Sequence, residues 1–191
     1  MKLASKLLTA AALLAASASA MAHPGHAEGG FTSGLLHPML GLDHLLAMAA
    51  IGFWSVRQSK LMKNATPAFA IGGMVLGAAL AWGGLSVPGI ETGITFSVLV
   101  AGILIATLAK LPTAVGGTLV GAFMLFHGFA HGAEMPEGAT LAAYLAGFSI
   151  ATLAITFSGR GLGSLMLKAD SRFSRGVGGV LAVAGAYLAA A

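Results

Sequence analysis

The chain contains no cysteine, so disulfides, thiolate metal sites, iron–sulfur clusters and cysteine nucleophiles are all excluded. Any metal chemistry must rest on imidazole, carboxylate or thioether donors. Charge is scarce as well: 8% of residues are Asp, Glu, Lys or Arg, against 57% hydrophobic residues and a mean hydropathy of +0.90. That balance excludes an ordinary soluble domain and describes an all-α integral membrane protein. There is no ATP-binding motif, so work done on a solute must draw its energy from outside the chain. The pI of about 9.8 comes from ten Lys and Arg residues scattered between apolar stretches, which form no contiguous patch for nucleic acid.

What is present begins with an export signal. Residues 1–22 carry Lys2 and Lys6, then an apolar stretch too short to span a bilayer, then small residues ending in "ASASAMA". Cleavage after Ala20 or after Ala22 satisfies the small-x-small pattern, and Ala22 would leave His23 as the mature N-terminus. Residues 23–32 then form a periplasmic segment, and residues 33–191 a single transmembrane domain.

Within that domain apolar stretches fall at 33–56, 67–84, 93–109, 113–133, 139–158 and 176–191, which predicts six transmembrane helices. With the mature N-terminus outside, the inner loops hold Arg57, Lys60, Lys63, Lys110, Arg160, Lys168, Arg172 and Arg175. The outer segments hold Glu28, Glu91 and Glu137 and no Lys or Arg, so the positive-inside rule gives the same orientation as the leader. Both termini of the mature chain are then periplasmic. Residues 161–167 read as an interfacial piece or as part of a loop. Three spans followed by three place the halves in opposite orientation, as a 3+3 inverted repeat requires. The pairs Gly73/Gly77, Gly117/Gly121 and Gly128/Gly132 have the spacing that lets helix backbones approach closely. Trp54 and Trp82, near span ends, read as interfacial aromatics.

Ionisable residues within spans are expensive, about 2.5 to 3.5 kcal/mol for Asp at a helix centre, so each needs a reason. Two spans carry nearly all of them. The first contains "HPMLGLDH", with His37, Asp43 and His44; the fourth ends in "FHGFAHGAE", with His127, His131 and Glu134. At about 100° per residue His127, His131 and Glu134 share one narrow helix face, and histidines four apart can chelate one ion. His37 and His44 would lie about 10.5 Å apart along an unbroken helix, too far to share an ion. Pro38 and Gly41 fall between them and predict an interrupted first span, the device by which transporters build ion sites near the midplane. Asp43 and Glu134 have no Lys or Arg within the predicted spans to neutralise them, and a bound cation would do so.

His23 and His26 form an accessory capture cluster beside the new α-amine, although Pro24 lacks the amide proton that a tight square-planar chelate needs. Met39, Met48, Met124 and Met135 lie near the histidines and read as packing.

Together the two motifs resemble those of the HupE/UreJ family of nickel and cobalt permeases, which show H-x5-D-H in the first span and F-H-G-x-A-H-G-x-E in the fourth. The resemblance extends over essentially the whole chain and includes the leader and six spans. It implies secondary uptake of Ni2+ or Co2+ across a bacterial inner membrane, supplying hydrogenase or urease, with the metal as cargo and no permanently bound cofactor. Donor chemistry alone leaves Ni2+, Co2+, Zn2+ and Cu2+ open. It also leaves open a membrane-embedded zinc hydrolase using the same His/Asp/Glu cluster, and a bis-histidine haem protein.

Overall fold

The computed structural model describes residues 30–190, which contain helices and short connections and no strand. The helices are α1 (Gly30–Leu40), α2 (Leu42–Ser55), α3 (Lys60–Trp82), α4 (Ile90–Thr107), α5 (Thr113–Ala133), α6 (Leu141–Met166) and α7 (Ser171–Ala190). The leader, its cleavage position and the histidines at 23 and 26 lie outside the described residues. Helices α3 to α7 are each long and apolar enough to cross a membrane, and α1 with α2 makes a sixth span only when taken together across a bend of 79°.

That bend falls at Gly41, whose extended backbone (φ −80°, ψ 112°) separates the two helices. Pro38 stays inside α1 and is buried. Lacking an amide proton, it weakens the turn just ahead of the break, and glycine then accepts the change of direction. The expected interruption is therefore present.

Several boundaries differ from expectation: the larger differences are extensions, while α3 and α4 end two residues early and α6 starts two residues late. Helix α1 starts at Gly30, so the last residues of the supposed periplasmic segment are helical. Helix α3 starts at Lys60, where the Ser59 hydroxyl accepts the Met62 amide, and it runs through Pro67. Helix α6 continues to Met166, so residues 161–166 are neither loop nor separate interfacial piece, and Arg160 lies within a helix. Hydropathy marks where lipid-compatible residues stop; the backbone hydrogen-bond ladder continues past that point into the headgroup layer. Arg160 ends near Asn64 Oδ1, 3.3 Å away, with its guanidinium carbon 5.9 Å from the Phe157 ring centroid.

The principal packing partners are α3 with α5, α4 with α7, and the bent pair α1–α2 with α6. Glycine makes these approaches close. A Cβ on Gly128 would collide with the backbone carbonyl of Met74, and one on Gly77 with that of Leu125. Of the expected small-residue pairs, Gly73/Gly77 and Gly128/Gly132 do line the α3–α5 contact. Gly117 and Gly121 face α3 as well, Gly117 under the Phe69 ring and Gly121 through its carbonyl against Gly73, although the space where a Gly121 side chain would be is open. The outer surface is apolar, with Leu76, Phe96, Ile103, Ile150, Phe157 and Val183 exposed, as a lipid-facing belt requires. Trp54 is not part of it: the ring is 4% exposed and its Nε1 donates to Ala109 O at 3.0 Å. Trp82, half-buried, donates to Gly132 O at 3.0 Å.

The ends of the bundle differ in charge. Arg57, Lys60, Lys63, Lys110, Lys168, Arg172 and Arg175 all lie at one end, where α2, α4 and α6 finish. The two histidine motifs lie towards the other.

Candidate metal site

The break at Gly41 places the His37 ring centroid 6.3 Å from that of His44. An unbroken helix would hold them about 10.5 Å apart. Helix α5 brings its own pair against them: His131 is 4.8 Å from His37 and 4.9 Å from His44, and His127 is 4.9 Å from His44. The four imidazoles thus form one continuous edge-to-face cluster between the bent first span and α5. His127 and His131 are fully buried and His44 nearly so.

Hydrogen bonds orient two of these rings. His127 Nδ1 donates to the Phe123 carbonyl one turn back, at 2.8 Å. His44 Nδ1 donates to Asp43 Oδ1 at 2.9 Å, and that oxygen also accepts the His44 amide at 2.8 Å. With the proton on Nδ1, each ring turns a lone pair outward on Nε2, the form in which imidazole binds a metal. Both Nε2 atoms are buried without a protein partner, and so are both ring nitrogens of His131. Buried polar atoms are ordinarily satisfied, so this concentration of unpartnered nitrogens in one place calls for water or an ion between the rings. Among the described residues, no three His, Asp or Glu side chains already stand as a finished metal cage. The cluster is a set of four rings in edge-to-face contact.

The two carboxylates, which no Lys or Arg within the predicted spans was expected to neutralise, each meet a histidine. Asp43 sits behind His44 as its orienting partner. Glu134 is the residue that ends α5, and its Oε2 lies 2.8 Å from His37 Nε2. Both side chains of that pair are partly open, 33% for His37 and 51% for Glu134, in contrast to the sealed rings behind them.

Helix α6 supplies two residues that the motifs did not flag. Phe148 lies 5.3 Å from the His131 ring in a near-parallel stack, and Tyr144 packs edge-on against Phe148 at 5.6 Å. Tyr144 is fully buried and its hydroxyl has no partner. Their four-residue spacing put them on one helix face, but nothing local marked that face as the one turned to the histidines.

A bundle of long apolar helices enclosing a cluster of buried imidazoles, with carboxylates orienting or flanking them, is a polytopic membrane protein with a histidine-lined interior. The chain belongs to the HupE/UreJ family, with residues 11–188 matching the family described as HupE / UreJ protein. It is 42% identical over 189 residues to Protein HupE of Rhizobium leguminosarum bv. viciae, a match covering 96% of this chain and 97% of that one. Family membership implies nickel or cobalt transport. No solved structure matches the chain.

Proposed function

We propose that this protein is a secondary transporter that carries Ni2+ or Co2+ inward across a bacterial inner membrane through the His/Asp/Glu cluster between its first and fourth spans. The observation that carries this reading is the set of buried, unpartnered nitrogens on His44, His127 and His131, two of them on rings whose other nitrogen is tied down. Imidazole is a good ligand for divalent ions of this group. The basic end of the bundle faces the cytoplasm by the positive-inside rule, so the histidine motifs open outward.

In this reading a hydrated ion is met first by His37 and Glu134, the exposed pair. It then sheds water onto the buried rings, where Asp43 sharpens His44 as a donor. His23 and His26, ahead of α1, act as an accessory capture site. The membrane potential is a sufficient driving force: two charges moving inward at 100 mV gain about 4.6 kcal/mol, roughly a thousandfold accumulation. The product of this transport would serve nickel- or cobalt-requiring enzymes such as hydrogenase or urease.

The test is time-dependent uptake of labelled Ni2+ and Co2+ by purified protein in liposomes held inside-negative, with His127→Ala as control. Saturable accumulation that the mutation abolishes is expected. Normal uptake by a well-inserted His127→Ala protein would remove the assignment, and tight binding without flux would favour the zinc hydrolase.

A further inference from the structure

The glycine contacts carry a symmetry that the sequence hides. On the α2–α6 interface a Cβ on Gly52 would strike the Thr156 carbonyl, and one on Gly159 the Ala49 carbonyl. On the α5–α3 interface a Cβ on Gly128 would strike the Met74 carbonyl, and one on Gly77 the Leu125 carbonyl. The two contacts are the same reciprocal lock. In each, the glycine lies three residues after the carbonyl it faces a partner with: Ala49 then Gly52 and Leu125 then Gly128, Thr156 then Gly159 and Met74 then Gly77. Exchanging the first three spans for the last three turns one lock into the other in register. The remaining pair, α4 with α7, maps onto itself and runs antiparallel, with Gly102 against Ala182, Gly178 against Ala106 and Gly185 against Leu99. Spans in inverted halves must do so.

The register that superposes Ala49 and Gly52 on Leu125 and Gly128 also carries the metal motifs to the opposite end of the molecule. His44 falls on Val120, Asp43 on Leu119, His127 on Ile51, His131 on Ser55 and Glu134 on Gln58. His37 falls on Thr113, which like Ser55 and Gln58 lies outside the cavity that the other three positions share. Ile51, Leu119 and Val120 line that cavity, together with Trp54 and Phe123 and part of α4. Gln58 is engaged much as Glu134 is: its Nε2 donates to Ala109 O at 3.0 Å and its Oε1 accepts the Leu111 amide at 3.0 Å. Glu134 ties the end of α5 to the segment ahead of α2, and Gln58 ties the end of α2 to the segment ahead of α5.

We propose that the apolar cavity between α2 and α5 is the inner end of the ion path, a ligand-free counterpart of the histidine cluster, and that the Gln58 clasp on the α4–α5 loop is its gate. This rests on the transport reading and deepens it. An ion held by imidazoles on the outer side has no equivalent donors on the inner side. Once the clasp opens and water enters, nothing retains the ion, and capture and release are separated by sequence differences between two halves of the same design. In the closed state the apolar lining excludes a doubly charged ion.

The native absence of cysteine permits a direct test. Val120→Cys is introduced alone into the full chain, with Met39→Cys, exposed at the histidine end, as the marker of sidedness. Right-side-out and inside-out vesicles are treated with a membrane-impermeant thiol reagent, and Ni2+ uptake is followed in the same preparations. Val120→Cys is expected to react from the basic face only, and severalfold faster when Gln58→Ala is added; Met39→Cys reacts from the opposite face. Reaction of Val120→Cys from the histidine face, or from neither face even with Gln58→Ala, overturns the inner path. Uptake that persists while Val120→Cys is unreachable removes this inference and leaves transport intact. Labelling from the basic face in a protein that moves no metal removes the transport reading instead.

Discussion

His37 Nε2 and Glu134 Oε2 stand 2.8 Å apart, a contact that joins the short helix ahead of the Gly41 break to the end of α5. The pair is partly open to the outside, whereas His127 and His131 behind it are sealed. On the proposed transport reading, entry and retention fall to different side chains. Glu134→Gln keeps a hydrogen-bonding group and loses the charge, so it should raise the Ni2+ concentration needed for half-maximal uptake with little change in maximal rate. His127→Ala should remove uptake at every concentration. A full concentration series for both variants checks this; equal loss of maximal rate in both would mean the two residues act at one station.

Asp43 acts through His44. Its carboxylate holds the Nδ1 proton, and loss of such an outer partner typically weakens metal binding about 10- to 100-fold. Asp43→Asn, which still offers an oxygen, should fall near the lower end of that range and Asp43→Ala near the upper. Calorimetric titration of the detergent-purified variants with Ni2+ reads the difference directly, and unchanged affinity in Asp43→Ala would dismiss the orienting role.

Gly41 presses on that same pair. A Cβ there would stand 3.0 Å from His44 Nδ1 and 3.2 Å from Asp43 Oδ1. Gly41→Ala should therefore weaken Ni2+ binding while the protein remains folded by circular dichroism. Should metal affinity survive, the break would be a matter of helix direction alone.

Two glycines of α5 offer a matched contrast in stability. Gly128→Ala forces a methyl group onto the Met74 carbonyl, and because backbone cannot yield as a side-chain tip can, the loss should be about 2 kcal/mol or more. Gly121→Ala meets nothing within 4 Å and should be neutral or slightly stabilising, since alanine favours a helix by up to about 1 kcal/mol over glycine. Thermal unfolding in detergent separates the two; similar melting temperatures would show that α3 and α5 are not locked as described.

Much of this was legible from residues alone. Apolar length marks a span wherever it occurs in a chain, because the bilayer asks only for enough hydrocarbon-compatible surface and a closed hydrogen-bond ladder. Hence the helical class, the number of apolar stretches and the interruption between His37 and His44 followed from local composition. The candidate donors were legible for a related reason: an imidazole or carboxylate costs so much in lipid that its presence is itself a signal.

Only the tertiary structure decided which donors meet. Glu134 shares a helical stripe with His127 and His131 by spacing, yet α5 ends at Ala133 and Glu134 reaches His37 instead. Asp43 proved to be the partner of its own neighbour, and Phe148, with no motif to announce it, stacks on His131. Helical periodicity is a property of one helix, whereas the register between helices is set where backbones touch. Here that is at Gly52, Gly77, Gly128 and Gly159, four residues whose only chemistry is the absence of a side chain. Such contacts leave no trace in hydropathy or helical periodicity, because a glycine signals nothing until the backbone it must admit is known.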